Sequence, residues 1–131
     1  MKKELNIKAI LIGLATILGL AILGGVGIAI ASQLIRPRSF RNDLRLFLLI
    51  LGMICDFSGG FVTGWIAKHD RVKNAFALAV LNLIFSQAIK LFSGSGPVLS
   101  VLVAIVKSVL ATLGGGYLAK LAFERKSLRN G

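Results

Sequence analysis

Three polar residues interrupt long apolar segments of the chain. Asp56 lies ten residues beyond Leu46, Lys107 lies nine beyond Val98, and Asn82 lies near the middle of a third apolar segment. If these segments are helices, a rise of about 1.5 Å per residue puts the carboxylate, the ammonium and the amide at nearly one depth. The sequence therefore predicts a cluster of an acid, a base and an amide inside a helical bundle.

Two kinds of chemistry fit this cluster. An ionisable group deep in a membrane is costly, and it indicates a functional site by default. In the first interpretation, Asp56 and Lys107 form a structural ion pair, and Asn82 supplies further hydrogen bonds. In the second, the carboxylate binds a proton or a cation and the ammonium competes with it. Because each ion has a ready partner, the sequence favours the structural interpretation and leaves the second one open.

The elements that must position these residues are four apolar segments, at about residues 9–35, 46–67, 74–92 and 98–123. Each approaches or exceeds about 20 residues, the length of a helix that crosses a bilayer. Apolar residues make up 56% of the 131 residues and charged residues 16%, whereas soluble domains carry about 25% charge. This composition excludes a soluble domain and a disordered chain. We predict an all-α polytopic membrane protein, a single transmembrane domain over residues 1–131 with four transmembrane helices in a compact bundle.

The first apolar segment also has features of a cleavable secretory signal. It follows two lysines and ends in an Ala-Ile-Ala sequence at residues 29–31. Its apolar core is longer than the roughly 7 to 15 residues of such signals, so we expect the segment to remain as a helix of the protein.

The positive charges report orientation. Sixteen Lys and Arg against five Asp and Glu give a net charge of +11, and nearly all the positive residues flank the apolar segments. There they contact anionic headgroups, so we expect a lipid partner and no nucleic acid. Four crossings put ten positive residues on the side of the termini and five on the other side. Because the side richer in Lys and Arg stays in the cytoplasm, both termini are predicted to be cytoplasmic.

Small residues recur at intervals of four in three of the segments, and in the second segment Asp56 occupies one position of the series, on the same face as three glycines. Such faces let helix backbones approach closely. The spacing favours packing within one bundle over a specific dimer face. The Ser-Gly-Gly-Phe-Val sequence at residues 58–62 and the Gly-Gly-Gly-Tyr-Leu sequence at 114–118 are also similar, which leaves open a pair of related helical hairpins. The small residues concerned are Gly52, Gly60 and Gly64, then Ala111, Gly115 and Ala119, and in the first segment Ala21, Gly25 and Ala29.

Patterns of catalytic and metal-binding residues are missing from the sequence. His69 is the only histidine and Cys55 the only cysteine, so neither a Ser-His-Asp triad within the membrane nor a Cys-based zinc site can be assembled. No phosphate-binding loop or His-Glu-x-x-His motif is present. We expect no enzymatic activity, no cofactor and no metal.

The run from Gly59 to Lys68, with the letters GGFVTGWIAK, resembles the helix-end pattern of assorted small bacterial four-helix membrane proteins of unknown function. The resemblance covers these ten residues. It implies a location in the bacterial inner membrane and no particular activity.

Two hypotheses of function follow. The first is an accessory, assembly or scaffold subunit that acts through helix packing and a basic cytoplasmic face, with another membrane protein or a second copy as its partner. It is supported by the short connections and the lack of a soluble domain. The alternative is a small proton- or cation-coupled transporter or channel centred on Asp56.

Overall fold

The structure, a computed structural model, describes residues 5–34, 40–67, 69–93 and 98–129. These residues form four α-helices and, within the described ranges, no strand. The helices are α1 (Ile7–Leu34), α2 (Phe40–Ile66), α3 (Arg71–Ser93) and α4 (Val98–Arg129). The prediction of an all-helical chain with four helices is confirmed. Several charged residues counted in the orientation argument lie outside the described residues, namely Lys2, Lys3, Arg36, Arg38 and Lys68.

Two helices are longer than the apolar segments that predicted them. α2 begins at Phe40, six residues before the predicted start, and α4 ends at Arg129, six residues after the predicted end. Hydropathy reports where a chain enters an apolar phase, but a helix can continue beyond that phase into water. At the end of α4, Lys120 pairs with Glu124 at 3.9 Å, and Lys126 and Arg129 occupy the last turn, where positive charge offsets the helix dipole.

The four helices form a bundle in which α2 and α3 lie between α1 and α4. α2 contacts each of the other helices, most extensively α4, and α3 also contacts all three others. In the described part of the chain, α1 and α4 do not contact each other. The compact bundle predicted from the sequence fits this arrangement, with a gap between its first and last helices.

Glycines bring α2 and α4 into backbone contact. A Cβ atom on Gly60 would overlap the carbonyl group of Thr112, and one on Gly115 would overlap the carbonyl group of Phe57. At Gly64, a Cβ atom would lie 3.0 Å from the Cβ of Ala119. Gly60 and Gly115 therefore require a residue without a side chain, and Gly64 leaves little room for one, because helix backbones approach this closely only through small residues.

Many large apolar side chains lie on the outside of the bundle, and several polar side chains lie inside it. The large apolar side chains at α3 positions Phe76, Val80 and Ile84 are exposed, and their spacing of four places them on one outer face. The same holds on every helix. Among the described residues, ten apolar residues and seven polar ones are buried, and the polar ones are Asp56, Thr63, Arg71, Asn74, Asn82, Ser108 and Thr112. An extensive exposed apolar surface around an interior that also holds polar side chains is typical of a membrane protein.

Three helical segments among the described residues are long and apolar enough to cross a membrane. They are Ile7–Leu34, Leu46–Ile66 and Leu102–Arg129, which belong to α1, α2 and α4. Together with the exposed apolar surface, they indicate a membrane protein. The crossing by α3 that the sequence predicts remains a prediction.

Candidate functional site

A buried hydrogen-bonded cluster joins α2, α3 and α4 near the middle of the bundle. The Asn82 amide donates one hydrogen bond to Asp56 Oδ1 at 2.9 Å and another to Ser108 Oγ at 3.2 Å. The Ser108 hydroxyl in turn interacts with the Asp56 carboxylate. Asp56 is 8% exposed and Asn82 is 9% exposed. The amide therefore uses both of its hydrogens to hold an acid and a hydroxyl from two other helices.

Lys107 lies beside this cluster and is not bonded to its acid. Its ammonium donates to the carbonyl oxygen of Leu49 at 3.4 Å, and a Cβ atom on Gly52 would lie 3.2 Å from its Nζ. Leu49 and Gly52 are about one to two turns from Asp56, on the side of the α1–α2 connection. The structure thus brings Lys107 near Asp56 and Asn82 but does not form the direct ion pair of the first interpretation. The missing side chain of Gly52 provides the space for the ammonium.

An open cavity of about 360 Å³ leads to the cluster. All four helices contribute to its lining, including Ala21 and Gly25 from α1 and Ala104 from α4. Since α1 and α4 both line the cavity without contacting each other, it lies in the gap between them. Its polar lining consists of five residues: Asp56, Asn82, Ser86, Lys107 and Ser108. The cavity therefore combines apolar walls with polar groups that can bind a cation, a proton or a polar side chain.

The opposite end of the bundle is closed. Asn74 accepts a hydrogen bond from the backbone N–H of Asn6 at 2.7 Å and donates to the carbonyl oxygens of His69 and Asp70, each at 3.1 Å. Thr63 on α2 donates to the carbonyl oxygen of Ala9 at 3.2 Å. One buried amide therefore ties the start of α1 to the α2–α3 connection.

The small residues predicted for helix packing have two different environments. On α2 and α4 they face other helices: Gly60 and Gly64 contact α4, and Gly115 and Ala119 are buried. Ala111 is half-buried on α4, and Gly52 faces Lys107. On α1, by contrast, Ala21, Gly25 and Ala29 are all exposed, and a Cβ atom on Gly25 would meet nothing within 4 Å.

The sequence did not single out several residues that complete these sites. Ser108 follows Lys107 directly, and its hydroxyl could have been found because it is the polar neighbour of the lysine near the middle of the fourth apolar segment. Asn74, Thr63 and Thr112 gave a weaker signal, since uncharged polar residues often pair with the backbone of their own helix. Thr112 does this, donating to the carbonyl oxygen of Ser108 at 2.8 Å.

Within the described ranges, no group of three or more His, Cys, Asp or Glu residues converges in a way that could hold a metal ion. Comparisons with protein-family models, curated proteins and solved structures gave no match for this chain.

Proposed function

We propose that the protein is an accessory, assembly or scaffold subunit of the bacterial inner membrane, with four transmembrane helices and both termini in the cytoplasm. It acts by packing against a helix of another membrane protein. The single observation that carries the proposal is the exposed small-residue face of α1, made of Ala21, Gly25 and Ala29. The corresponding faces of α2 and α4 are used inside the bundle.

Small residues gain little from facing lipid, whereas they let a second helix approach closely. Ala21 and Gly25 also line the cavity between α1 and α4, so a helix that contacts them would lie in this gap. Ala104 on α4 and Gly52 on α2, both also small, line the same gap. Small residues from three helices therefore line the gap, and we call it the groove.

Lys107 determines the chemistry of the partner. Lys107 lines the groove, its ammonium donates to a backbone carbonyl at 3.4 Å, and it has no carboxylate partner in direct contact among the side chains that the structure describes. Neutralising such a charge inside a membrane is favourable. The partner is a transmembrane helix that carries an Asp or Glu at the depth of Lys107.

The proposed four crossings include α3. Its outward residues Phe76, Val80 and Ile84 are apolar and exposed, and its polar Asn74 and Asn82 are buried against other helices. An amphipathic helix of this kind suits a bundle in lipid, where only the outer face must be apolar. A cysteine placed near either end of α3, in a Cys55→Ser background, tests the crossing, because it should label from opposite sides of the membrane at the two ends.

Purification in a mild detergent from its own membranes tests the partner. We expect a stoichiometric complex with a second membrane protein. Gly25→Leu should remove the partner because the new side chain fills the groove. Gly19→Leu is the matched control, since Gly19 also faces open space but lies about 120° away around the helix.

Recovery of only a lone monomer, or of a complex of identical copies, would contradict the proposal of an accessory subunit. Equal loss of the partner in both variants would show that the groove is not the contact. Once the partner is known, replacing its carboxylate should weaken the complex in the unmodified protein and have no further effect in Lys107→Leu.

A second candidate function is a proton- or cation-coupled transporter or channel centred on Asp56. The observation that favours it is the open cavity that reaches the carboxylate, with the hydroxyl oxygen of Ser108 in the same cluster. Oxygen atoms, those of carboxylates above all, are suitable ligands for a hard cation.

Flux measurements with the protein alone in proteoliposomes separate the two functions. The second candidate requires ion flux without a partner and its loss in Asp56→Asn, with the helical content unchanged. Ser86→Ala is the matched control, because Ser86 lines the same cavity but lies about one turn from Asn82 along α3. Absence of flux for every cation tested, proton included, would contradict this candidate and leave the accessory role unaffected.

A further inference from the structure

A second cavity, of about 510 Å³, lies between α3 and α4 at the end of the bundle where α3 begins. It is separate from the groove and shares no lining residue with it. The lining contains four residues that can carry positive charge and two acids: His69, Arg71, Lys73 and Lys120, with Asp70 and Glu124. Glu124 is already paired with Lys120 at 3.9 Å.

Arg71 is the central residue of this cavity. It is only 9% exposed, and its guanidinium lies over the ring of Phe123, with Cζ 3.8 Å from the ring centroid. Its Nη1 atom is buried and has no hydrogen-bond acceptor among the described residues. A buried donor without an acceptor is unfavourable, so an anion that enters the cavity and reaches this atom would be stabilised.

The surroundings favour a phosphate group as that anion. Arg71 is the first residue of α3, a helix of 23 residues, and the N-terminus of a helix attracts phosphate through its free N–H groups and its dipole. The guanidinium presents several N–H donors in the planar geometry that matches phosphate oxygens. The stacking on Phe123 fixes this plane, and Lys73 is exposed at the rim.

We propose that the Arg71 cavity binds a phosphate group, supplied by the headgroup of an anionic lipid. Basic pockets between transmembrane helices on the cytoplasmic side bind such headgroups. The edge of the cavity is also apolar, since the ring of Phe123 is half exposed, so an acyl chain can contact this ring beside the headgroup. The inference rests on the proposed membrane location but not on a partner helix.

Equilibrium binding of fluorescent phosphatidylglycerol to the full chain in neutral detergent tests the site. Arg71→Gln should weaken binding at least tenfold, and Lys73→Gln about fivefold, the effect of about 1 kcal/mol per lysine near an anionic surface. Lys126→Gln is the matched control, because Lys126 carries the same charge near the end of α4 but does not line the cavity. It should change binding less than twofold.

Because Arg71 is buried, Arg71→Gln could also unfold the end of the bundle, so the exposed Lys73 decides the outcome. Equal weakening by Lys73→Gln and Lys126→Gln would overturn the proposal, since it would show diffuse attraction to the basic surface. Unchanged binding in Lys73→Gln would overturn it as well.

Inorganic phosphate identifies the source of the group. If phosphate at millimolar concentration does not compete, the lipid headgroup is the ligand, as proposed. If phosphate competes and its own binding depends on Lys73, the cavity takes free phosphate and the lipid source is wrong. These measurements need no membrane and no partner, so their failure is distinguishable from failure of the accessory function.

Discussion

Two adjacent glycines on α4 provide a sharp test of the bundle. Gly114 and Gly115 have the same sequence context, but their surroundings differ. A Cβ atom on Gly114 would lie 3.7 Å from the ring of Phe57, an ordinary contact, whereas one on Gly115 would lie 2.7 Å from the backbone nitrogen of Phe61 and overlap the carbonyl group of Phe57. We expect Gly114→Ala to be tolerated and Gly115→Ala to force α2 and α4 apart.

The magnitude follows from two opposing terms. Both substitutions replace glycine by alanine inside a helix, which stabilises the folded state by about 0.5 to 1 kcal/mol. Gly115→Ala adds the cost of overpacking, typically about 1 to 3 kcal/mol and more where the obstacle is backbone that cannot rotate away. The propensity term cancels between the variants, so the free energy of unfolding of Gly115→Ala should be about 1 to 3 kcal/mol below that of Gly114→Ala.

Reversible unfolding of the purified protein in mixed micelles, followed by circular dichroism, measures this difference. Gly25→Ala, at a position in open space on α1, serves as a second control and should behave like Gly114→Ala. Gly60→Ala should behave like Gly115→Ala because it meets the carbonyl group of Thr112 from the other helix. Equal stability of the two adjacent variants would refute the backbone contact between α2 and α4.

Three further predictions concern hydrogen bonds. Thr63→Val keeps the shape of the side chain but removes its bond to α1, and should lower the free energy of unfolding by about 0.6 to 2 kcal/mol, as measured in mixed micelles. Asp56→Asn and Lys107→Leu should be nearly additive in the same assay, because the ammonium donates to a backbone carbonyl and not to the carboxylate; a coupling well above about 1 kcal/mol would restore the direct ion pair. Asn74→Ala removes three hydrogen bonds at the closed end and should increase amide exchange in the first turns of α1 and α3. The amide groups of α2 should remain protected from exchange.

The sequence predicted the number and approximate positions of the helices because each is marked by a long continuous apolar segment. Such a segment can be recognised without knowing which helices pack against it. It misplaced the start of α2 and the end of α4 because polar helical turns lack that signal. The pattern of Gly60, Gly64 and Gly115 was visible as a small-residue face, but which face meets which helix depends on rotation in the bundle, and repeats of four residues do not encode it.

The polar cluster shows the same limit. Equal depth along the sequence correctly indicated that Asp56 and Asn82 could meet, and the structure joins them. Depth alone could not determine the direction in which the long side chain of Lys107 extends. The side chain lies toward Gly52 because that residue leaves space. Its ammonium therefore does not form the ion pair with Asp56 that their equal depth predicted. The ammonium of a lysine is carried on a flexible stem of four carbons, so the position of the residue on a helix does not determine where the charge lies.

The two ends of the bundle together constrain the function of the cluster. Toward the gap between α1 and α4, the carboxylate of Asp56 is reached through an open cavity. Toward the end closed by Asn74, the fully buried residues Thr63, Leu78 and Thr112 fill the interior. An ion bound at the cluster therefore has access from one side, as a partner's side chain would.

A transporter must alternate that access, which requires the closed end to open. The hydrogen bonds of Asn74 are among the contacts that would have to break. If the cluster carries ions, Asn74→Ala should change the rate of flux in proteoliposomes as well as local amide exchange. If the protein is an accessory subunit, the same substitution should increase exchange at the closed end and leave the complex with the partner intact, because the groove lies in the other half of the bundle. A single substitution more than a helical turn from the cluster thus separates the two functions.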